Sequence, residues 1–210
     1  MADQLATMPE ADGVNPKAQQ ILAAARQIFV EQGYGSASMD GIARTAGVSK
    51  ATLYAHFTGK DALFAAMVGV ECRRMSAVID TPAFDESDIR AALRQIAGQF
   101  IDHLMTGRAL AIYRIVVAET PRFPELGRIF FETGPDRLLG RVADFLRRAG
   151  ERGTLVVPEP RRAAAQFIGM VRGEVYLRRL LGIEPAAAEG EIDRHIDSCV
   201  ELFLSHYGRG

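Results

Sequence analysis

Residues 47–64 read GVSKATLYAHFTGKDALF, and this stretch contains the end of one helix and the start of the next. Gly47 follows an apolar-periodic segment and supplies the left-handed residue that ends a helix. Ser49 can cap the following helix by accepting a hydrogen bond from one of its free amides. The four residues Ala46 to Ser49 therefore predict a tight turn between two helices, with the spacing of a helix-turn-helix.

The helix after this turn has one inward and one outward face. Leu53 and Phe57 are four residues apart, so both face the interior. The outer surface carries short, polar or cationic residues: Lys50, Ala51, Thr52, Tyr54 and His56. The segment Thr58 to Asp61 repeats a capping-box pattern and predicts a further helix, with Lys60 in a first turn whose amides suit a phosphate.

The segment before the turn predicts two supporting helices. Asn15-Pro16 is an N-cap followed by proline at the first helical position. An apolar stripe then runs to Gly33 and marks one helix face: Ile21, Ala25, Ile28 and Phe29. Ser38 caps a short helix that ends at Ala46. Three helices over residues 16–57 thus lead into a fourth.

Residues 15–64, NPKAQQILAAARQIFVEQGYGSASMDGIARTAGVSKATLYAHFTGKDALF, resemble the N-terminal domain of the TetR family of bacterial transcriptional regulators. The resemblance implies that Lys50, Ala51 and Thr52 approach base edges, and the small Ala51 suits a thymine methyl group. It implies that Tyr54 and His56 touch phosphates and that Lys60 anchors the DNA backbone. Ser38 matches a family position that commonly meets a phosphate. The full set of DNA-binding positions is Ser38, Ser49, Lys50, Ala51, Thr52, Tyr54, His56 and Lys60.

Some of these positions allow another interpretation. Tyr54 could be a partly buried aromatic residue of a small domain, and His56 a surface histidine at a helix end. Lys60 could be a solvated lysine. Asp40 departs from the expected pattern, because an acidic residue beside DNA argues against direct contact from that position.

The distribution of charge supports a nucleic-acid partner at the N-terminal end. The whole chain carries a net charge of −1, but residues 15–60 contain five basic and two acidic residues, a balance of +3. This segment also contains every lysine of the chain: Lys17, Lys50 and Lys60. A balance of +3 predicts few phosphate contacts per subunit, so two subunits are needed for useful affinity.

Length and composition indicate an intracellular protein with a sizeable core. The 210 residues are 48% hydrophobic, without an apolar run long enough for a membrane span. Residues 1–14 lack the features of a signal peptide and predict a disordered tail. Cys72 and Cys199 lie far apart in helical patterns, which fits buried thiols in a reducing compartment. We therefore predict a cytoplasmic protein with a DNA-binding domain at 15–62 and a second domain at 63–210.

Beyond Lys60 the pattern predicts an all-α fold. Helix breaks are expected near Thr81-Pro82, Thr106-Gly107, Thr120 to Pro124, Thr133 to Pro135, Gly150 to Pro160 and Gly182 to Pro185. The segments YRIVVAETPRFPELGRIFFETGP and FIGMVRGEVYLRRLLGI resemble the ligand-binding domain of the AefR-like branch of the same family. The expected architecture is a three-helix DNA-binding domain followed by a larger helical domain for ligand binding and dimerisation.

The sequence pattern of the last two helices predicts how two copies of the chain associate. Both have apolar residues at helical spacing, and the earlier one is apolar on two faces, with Gly169 and Gly173 four apart. The resemblance implies a homodimer through a four-helix bundle, although both faces could instead be internal to a monomer. The predicted interface residues are Phe167, Ile168, Val171, Val175, Ile192, Ile196, Cys199, Val200 and Phe203.

The resemblance also implies a small-molecule pocket among the C-terminal helices. The candidates to line it are Phe100, His103, Tyr113, Phe123, Phe130, Phe131, Phe167, Met170 and Glu174. Each aromatic residue could equally belong to the core, and His103 could be a hydrogen-bonded core histidine. A mainly apolar wall predicts a small hydrophobic effector.

The sequence offers little for catalysis. No nucleophile motif, phosphate loop or paired metal-ligand spacing is present, so we predict no enzyme activity, cofactor or metal. Glu191, His195 and Cys199 at four-residue steps form at most a weak metal constellation, for which a helix face toward a partner is the alternative. The predicted function is a homodimeric repressor that a hydrophobic effector releases from a pseudo-palindromic double-stranded DNA operator. The alternatives are an activator or global regulator without an inducer, and a helical ligand-binding protein or enzyme that does not use DNA.

Overall fold

The computed structural model describes residues 15–79, 88–183 and 190–209, with backbone only for 71–79. Within these ranges the chain forms ten helices and no β-strand, apart from an isolated bridge between Leu155 and Gly208. The helices are α1 (Pro16–Ser36), α2 (Met39–Thr45), α3 (Lys50–His56), α4 (Lys60–Ile79), α5 (Ile89–Leu104), α6 (Gly107–Glu119), α7 (Pro124–Thr133), α8 (Pro135–Glu151), α9 (Pro160–Leu181) and α10 (Glu191–Tyr207). The all-α prediction is confirmed.

The helix boundaries follow the breaks that the sequence predicts. From the end of α5 to the end of α9, each boundary coincides with a predicted Gly or Pro segment, because proline suits a first helical turn and cannot continue a helix. The predicted tail at 1–14, the break at Thr81-Pro82 and the Pro185 part of the last break lie outside the described residues. So does the side chain of Cys72.

One compact unit comprises the described part of Met1–Arg73 together with Ala111–Gly134. Its core is centred on the fully buried Phe29 and Phe64, whose ring centroids lie 6.2 Å apart, edge to face. Leu63 of α4 and residues of α6 and α7 belong to the same core. Packing in this unit thus continues past residue 62, and the division into a DNA-binding domain at 15–62 and a second domain at 63–210 stays a prediction.

A second compact unit comprises the described parts of Arg74–Leu110 and Pro135–Gly210. Helices α5, α8, α9 and α10 pack against one another around a core that includes Phe167 and Phe203, with ring centroids 5.1 Å apart. The bridge between Leu155 and Gly208 lies at the end of α10. Among the described helices, none is long and apolar enough to cross a bilayer.

Candidate nucleic-acid interface

The turn between α2 and α3 has the geometry that the sequence predicts. Ser38 Oγ accepts a hydrogen bond from Gly41 N (3.0 Å), and Ser49 Oγ accepts one from Thr52 N (3.0 Å). Gly47 has a φ of 62°, a conformation that glycine adopts without a Cβ penalty. The Gln20 side chain donates to the Ala46 carbonyl (2.5 Å), which fastens the turn to α1.

Helix α3 presents most of its predicted DNA-binding residues to solvent. Leu53 is fully buried and holds the helix on the core, as predicted. Ala51, His56 and Tyr54 are exposed, and Tyr54 retains 50% of its accessible surface. A phenol that is half exposed on a short helix is available to another molecule, in contrast to the interpretation of Tyr54 as a partly buried core residue.

The hydroxyl groups at this surface take part in helix capping. Ser38 and Ser49 are exposed, but each already accepts a hydrogen bond from its own helix. Thr52 is half-buried, and its Oγ1 lies 2.8 Å from Ser49 Oγ. These hydroxyls fix the turn in the free protein, so any contact of theirs with DNA would be added to a structural role.

Lys50 is paired with Asp40, the acidic residue that departs from the pattern expected beside DNA. Its Nζ lies 2.5 Å from Asp40 Oδ2, and the two side chains are 65% and 51% exposed. Asp40 is in the first turn of α2, ten residues before Lys50 at the start of α3. The signal available in the sequence was the acidic residue itself, but only the close approach of the two helices shows which cation it meets.

Lys60 has a role inside the protein that neither sequence-based interpretation includes. Its Nζ donates to the carbonyl oxygens of Tyr34 (2.9 Å) and Gly35 (3.3 Å) and lies 4.7 Å from the centroid of the Tyr34 ring. The ammonium is partly buried and satisfies carbonyls at the end of α1. Lys60 is therefore not simply solvated, and its contact with the DNA backbone stays a prediction.

Tyr34 connects this corner to the start of α4. Its hydroxyl donates a hydrogen bond to Asp61 Oδ1, and the side chain is only 2% exposed. Burial, followed by the hydrogen bond to Asp61 and the negative charges of Asp61 and Glu125, raises the pKa of Tyr34 well above its ordinary value. The phenol therefore remains a neutral donor to higher pH than an ordinary tyrosine does.

The nine pocket candidates are divided between the two units. Phe100 and Phe167 are buried in the core of the second unit, where Met170 is partly buried. Tyr113 and Phe130 belong to the first unit and meet edge to face at 5.8 Å, and Phe123 packs there against Tyr34. An open groove of about 510 Å³ in the second unit has none of the nine among its lining residues.

The three remaining pocket candidates carry polar groups or are exposed. Phe131 is 51% exposed. Glu174 is exposed and forms an ion pair with Arg178 (2.8 Å) on α9. His103 is half-buried in the last turn of α5, and its carbonyl accepts from the Thr106 hydroxyl (2.9 Å). The ligand pocket stays a prediction.

Most of the predicted interface residues are covered by their own chain. Seven of the nine are at most 5% exposed and belong to the core of the second unit: Phe167, Ile168, Val171, Ile196, Cys199, Val200 and Phe203. Val175 and Ile192 are half-buried. The large apolar residues of α9 and α10 that are exposed are Leu177 (51%), Leu181 (63%) and Leu202 (59%).

His195 packs against α9 of its own chain. The described residues contain no group of acidic, His and Cys side chains arranged for a metal. His195 Nε2 lies 3.0 Å from the Val171 carbonyl and 3.7 Å from Cys199 Sγ. The ring fills the space beside Gly173, where α9 is interrupted by a φ of 44°. Burial raises the pKa of the Cys199 thiol. His195 thus supports a helix break.

Three buried polar atoms lack a hydrogen-bond partner among the described residues, and no sequence pattern pointed to them. They are Gln99 Oε1 on α5, Glu119 Oε2 on α6 and Arg172 Nε on α9. Gln99 and Arg172 both belong to the second unit, and the Arg172 guanidinium lies 5.6 Å from the Tyr176 ring centroid. Buried polar atoms without partners are costly, so such atoms are candidates for ligand contacts.

Comparison with known proteins identifies both parts of the chain. A model of "Bacterial regulatory proteins, tetR family" matches residues 21–67, and a model of the "AefR-like transcriptional repressor, C-terminal domain" matches residues 91–209. The solved structure of the Flavonoid-responsive Regulator FrrA is similar with a TM-score of 0.80 and 38% sequence identity, over 91% of this chain and 97% of that chain.

Two curated relatives extend this similarity. The HTH-type transcriptional regulator YvkB of Bacillus subtilis is 25% identical over 92% of this chain and 94% of its own length. The HTH-type transcriptional activator FasR of Mycolicibacterium smegmatis is 36% identical over 85 residues, which are 40% of this chain and 39% of FasR. These proteins are regulators of transcription and not enzymes. The chain, with its helix-turn-helix and its AefR-like C-terminal region, belongs to the TetR family of transcriptional regulators.

Proposed function

We propose that this regulator is a homodimeric repressor that binds a pseudo-palindromic operator and is released from it by a small hydrophobic effector. The observation that carries the proposal is the exposed outer face of α3, held rigidly by its caps and by Leu53. The match of residues 91–209 to the C-terminal domain of an AefR-like repressor supports repression of transcription over activation.

The DNA contacts that we propose combine base edges and phosphates. Lys50, Ala51 and Thr52 lie in the first turn of α3 and would read bases in the major groove. Tyr54 and His56 are exposed further along the helix and would contact phosphates. Base contacts determine sequence preference, and phosphate contacts determine affinity for all sequences.

The dimer is supported by the surface of the second unit. Gly169 is exposed on α9 before the break at Gly173, Leu177 and Leu181 are exposed after it, and Leu202 is exposed on α10. Because a Cβ at Gly169 would meet nothing within 4 Å, this part of α9 is open to a second helix. We propose that these exposed residues, with the half-buried Val175 and Ile192, contact the partner. Two recognition helices would then lie about 34–36 Å apart.

The effector that we propose is aromatic and carries polar substituents. The candidate aromatic residues of the C-terminal helices favour an apolar ligand, and the unpartnered Gln99 Oε1 and Arg172 Nε would suit its polar groups. FrrA, the similar solved regulator, is named for its response to flavonoids. A thermal-shift panel would compare flavonoids, fatty acids and sugars. Stabilisation by sugars, with none by the hydrophobic compounds, would contradict this part of the proposal.

The decisive experiment is selection of bound fragments from a random duplex pool by the purified chain. We expect an inverted repeat whose half-sites are one helical turn apart. Tyr54→Ala should weaken binding to every duplex, whereas Thr52→Val should change the recovered sequence. Failure of the wild-type chain to bind any duplex in dilute buffer would reject the proposed function, and recovery of an asymmetric site would reject the symmetric dimer.

An activator is the second candidate, because FasR is named a transcriptional activator. A reporter driven by the promoter next to the recovered site separates the two. Deletion of the gene raises expression if the protein represses and lowers expression if it activates. A helical protein that does not use DNA would show neither effect, and Tyr54→Ala would leave its function intact.

A further inference from the structure

We propose that Asp40 is a specificity-determining residue of this regulator. Asp40 acts through Lys50, because the two side chains form a pair with no net charge. The paired ammonium is poor at binding phosphates but can still donate hydrogen bonds to base edges. The inference rests on the proposed role of α3 in DNA binding and adds a residue that the DNA-contact set does not contain.

The pair joins two rigid elements. Asp40 is in the first turn of α2, which is capped by Ser38, and Lys50 is the first residue of α3, which is capped by Ser49. The distance from Lys50 Nζ to Asp40 Oδ2 is 2.5 Å. Ile42 and Leu53 are fully buried and fix both helices on the core. The carboxylate is therefore held beside the base-reading end of α3.

The stability of the fold does not explain the pair. Both side chains are more than half exposed, and ion pairs of this kind contribute little to folding because water and salt screen them. Within the described part of the chain, each of the two groups has the other as its only ionic partner. The pair instead occupies the surface on which DNA is proposed to bind.

The pair affects phosphates and bases differently. A lysine that neutralises a phosphate releases counterions, but a lysine already neutralised by a carboxylate gains little from doing so. Asp40 also repels the phosphates of any duplex. Base edges carry no net charge, and an ammonium with one donor directed at Asp40 keeps two for acceptors such as guanine O6 and N7. The pair thus disfavours arbitrary DNA more than an operator.

A double-mutant cycle that removes the two charges tests this arrangement with Asp40→Asn, Lys50→Gln and the double variant. The probe is a duplex of arbitrary sequence, about three helical turns long. The association constant K is measured at several NaCl concentrations between about 50 and 200 mM. We expect Asp40→Asn to increase the steepness of log K against log salt by about 0.9 per protomer, because it frees one cation. The double variant restores the net charge of the pair, so it should return to the wild-type slope.

The contrary result is equally distinct. If Lys50 already contacts a phosphate independently of Asp40, Asp40→Asn keeps the wild-type slope. Lys50→Gln then makes the slope shallower by about 0.9, and the double variant matches Lys50→Gln. That pattern overturns the inference while leaving the proposed DNA-binding function intact. Absence of wild-type binding to every duplex, selected or arbitrary, would overturn both.

Two control variants separate the pair from other effects of charge and structure. Asp40→Glu keeps the carboxylate within reach of Lys50 and should retain the wild-type slope. Glu31→Gln adds the same unit of net charge at an exposed position of α1 that is not paired with Lys50, and should change the slope by much less than Asp40→Asn does. A change with Glu31→Gln as large as that with Asp40→Asn would show an effect of total charge and would overturn the inference.

Specificity provides a second readout. The ratio of affinities for the selected operator and the arbitrary duplex should fall about tenfold in Asp40→Asn, through tighter binding to the arbitrary duplex. The same variant should recover a less uniform set of sequences from the random pool. An unchanged ratio would contradict the assigned role of Asp40.

Discussion

The three lysines of the N-terminal helices are used in three different ways. Lys17 Nζ donates to Gln20 Oε1 (3.2 Å) on the same helix and is otherwise solvated. Lys50 is neutralised by Asp40, and Lys60 stabilises carbonyls at the end of α1. A count of +3 for residues 15–60 therefore overstates the charge that is free to meet phosphates, which strengthens the expectation that two subunits are needed.

Replacement of Lys60 by Met should lower the stability of the fold, whether or not it changes DNA affinity. The change removes two hydrogen bonds and the contact with the Tyr34 ring, so we expect a loss of about 1–2 kcal/mol in the free energy of unfolding. Urea denaturation would measure it. The matched control, Lys17→Met, should stay within about 0.5 kcal/mol of the wild type. Unchanged stability with weakened DNA binding would instead identify Lys60 as a phosphate ligand.

Tyr34 should make the folded state sensitive to alkaline pH. Because its pKa is raised on folding, the unfolded chain releases the phenolic proton first as pH rises past about 10. Stability is then fully present below pH 10 and falls above it. Tyr34→Phe should flatten this decline in denaturation experiments between pH 9 and 11, while Tyr54→Phe should preserve it. An equally steep decline in Tyr34→Phe would show that another group is responsible.

At the scale of single helices, the break in α9 is the feature that the tertiary structure adds. The glycines at 169 and 173 suggested close approach of a second helix, but they differ in their surroundings. A Cβ at Gly169 would be in open space, whereas one at Gly173 would lie 2.8 Å from His195 Cε1. Gly173 thus accommodates a ring from α10 of its own chain, and His195 Nε2 lies within hydrogen-bond distance of the Val171 carbonyl next to the break.

Replacement of Gly173 by Ala should destabilise the second unit by about 1–3 kcal/mol, since it adds both a clash and an unfavourable positive φ. Combination with His195→Ala should recover only the part due to the clash. Gly98→Ala in α5 is the control, because its Cβ would meet nothing within 4 Å, and it should be neutral or stabilising. A neutral Gly173→Ala, measured by thermal denaturation, would mean that α9 straightens without cost.

For the whole molecule, the distinction that matters is between apolar faces covered within the chain and those left open. Helix α9 is apolar on two sides, and the structure assigns one side to the core of the second unit through Phe167 and Val171. After the break at Gly173, Leu177 and Leu181 are exposed. The proposed dimer would cover these exposed leucines.

The double variant Leu177→Glu/Leu202→Glu should be a folded monomer with reduced operator affinity. Charged residues on the proposed contact face oppose association, but both sites are exposed, so folding should tolerate them. Sedimentation velocity would give the mass and circular dichroism the helix content. Val156→Glu, at a position 50% exposed, should leave the mass unchanged. A dimer that survives the double variant would place the interface elsewhere.

The sequence by itself determined the helices, their ends and the helix-turn-helix. These features depend on contacts a few residues apart, such as the cap from Ser49 to Thr52 and the left-handed Gly47, so the local sequence contains the information. The inward position of Leu53 followed from helical spacing for the same reason. Only the tertiary structure decided which partner each side chain meets. Lys50 finds Asp40, Lys60 finds the end of α1, and Phe167 and Phe203 face each other inside one chain, because periodicity specifies an apolar or charged face but not what packs against it.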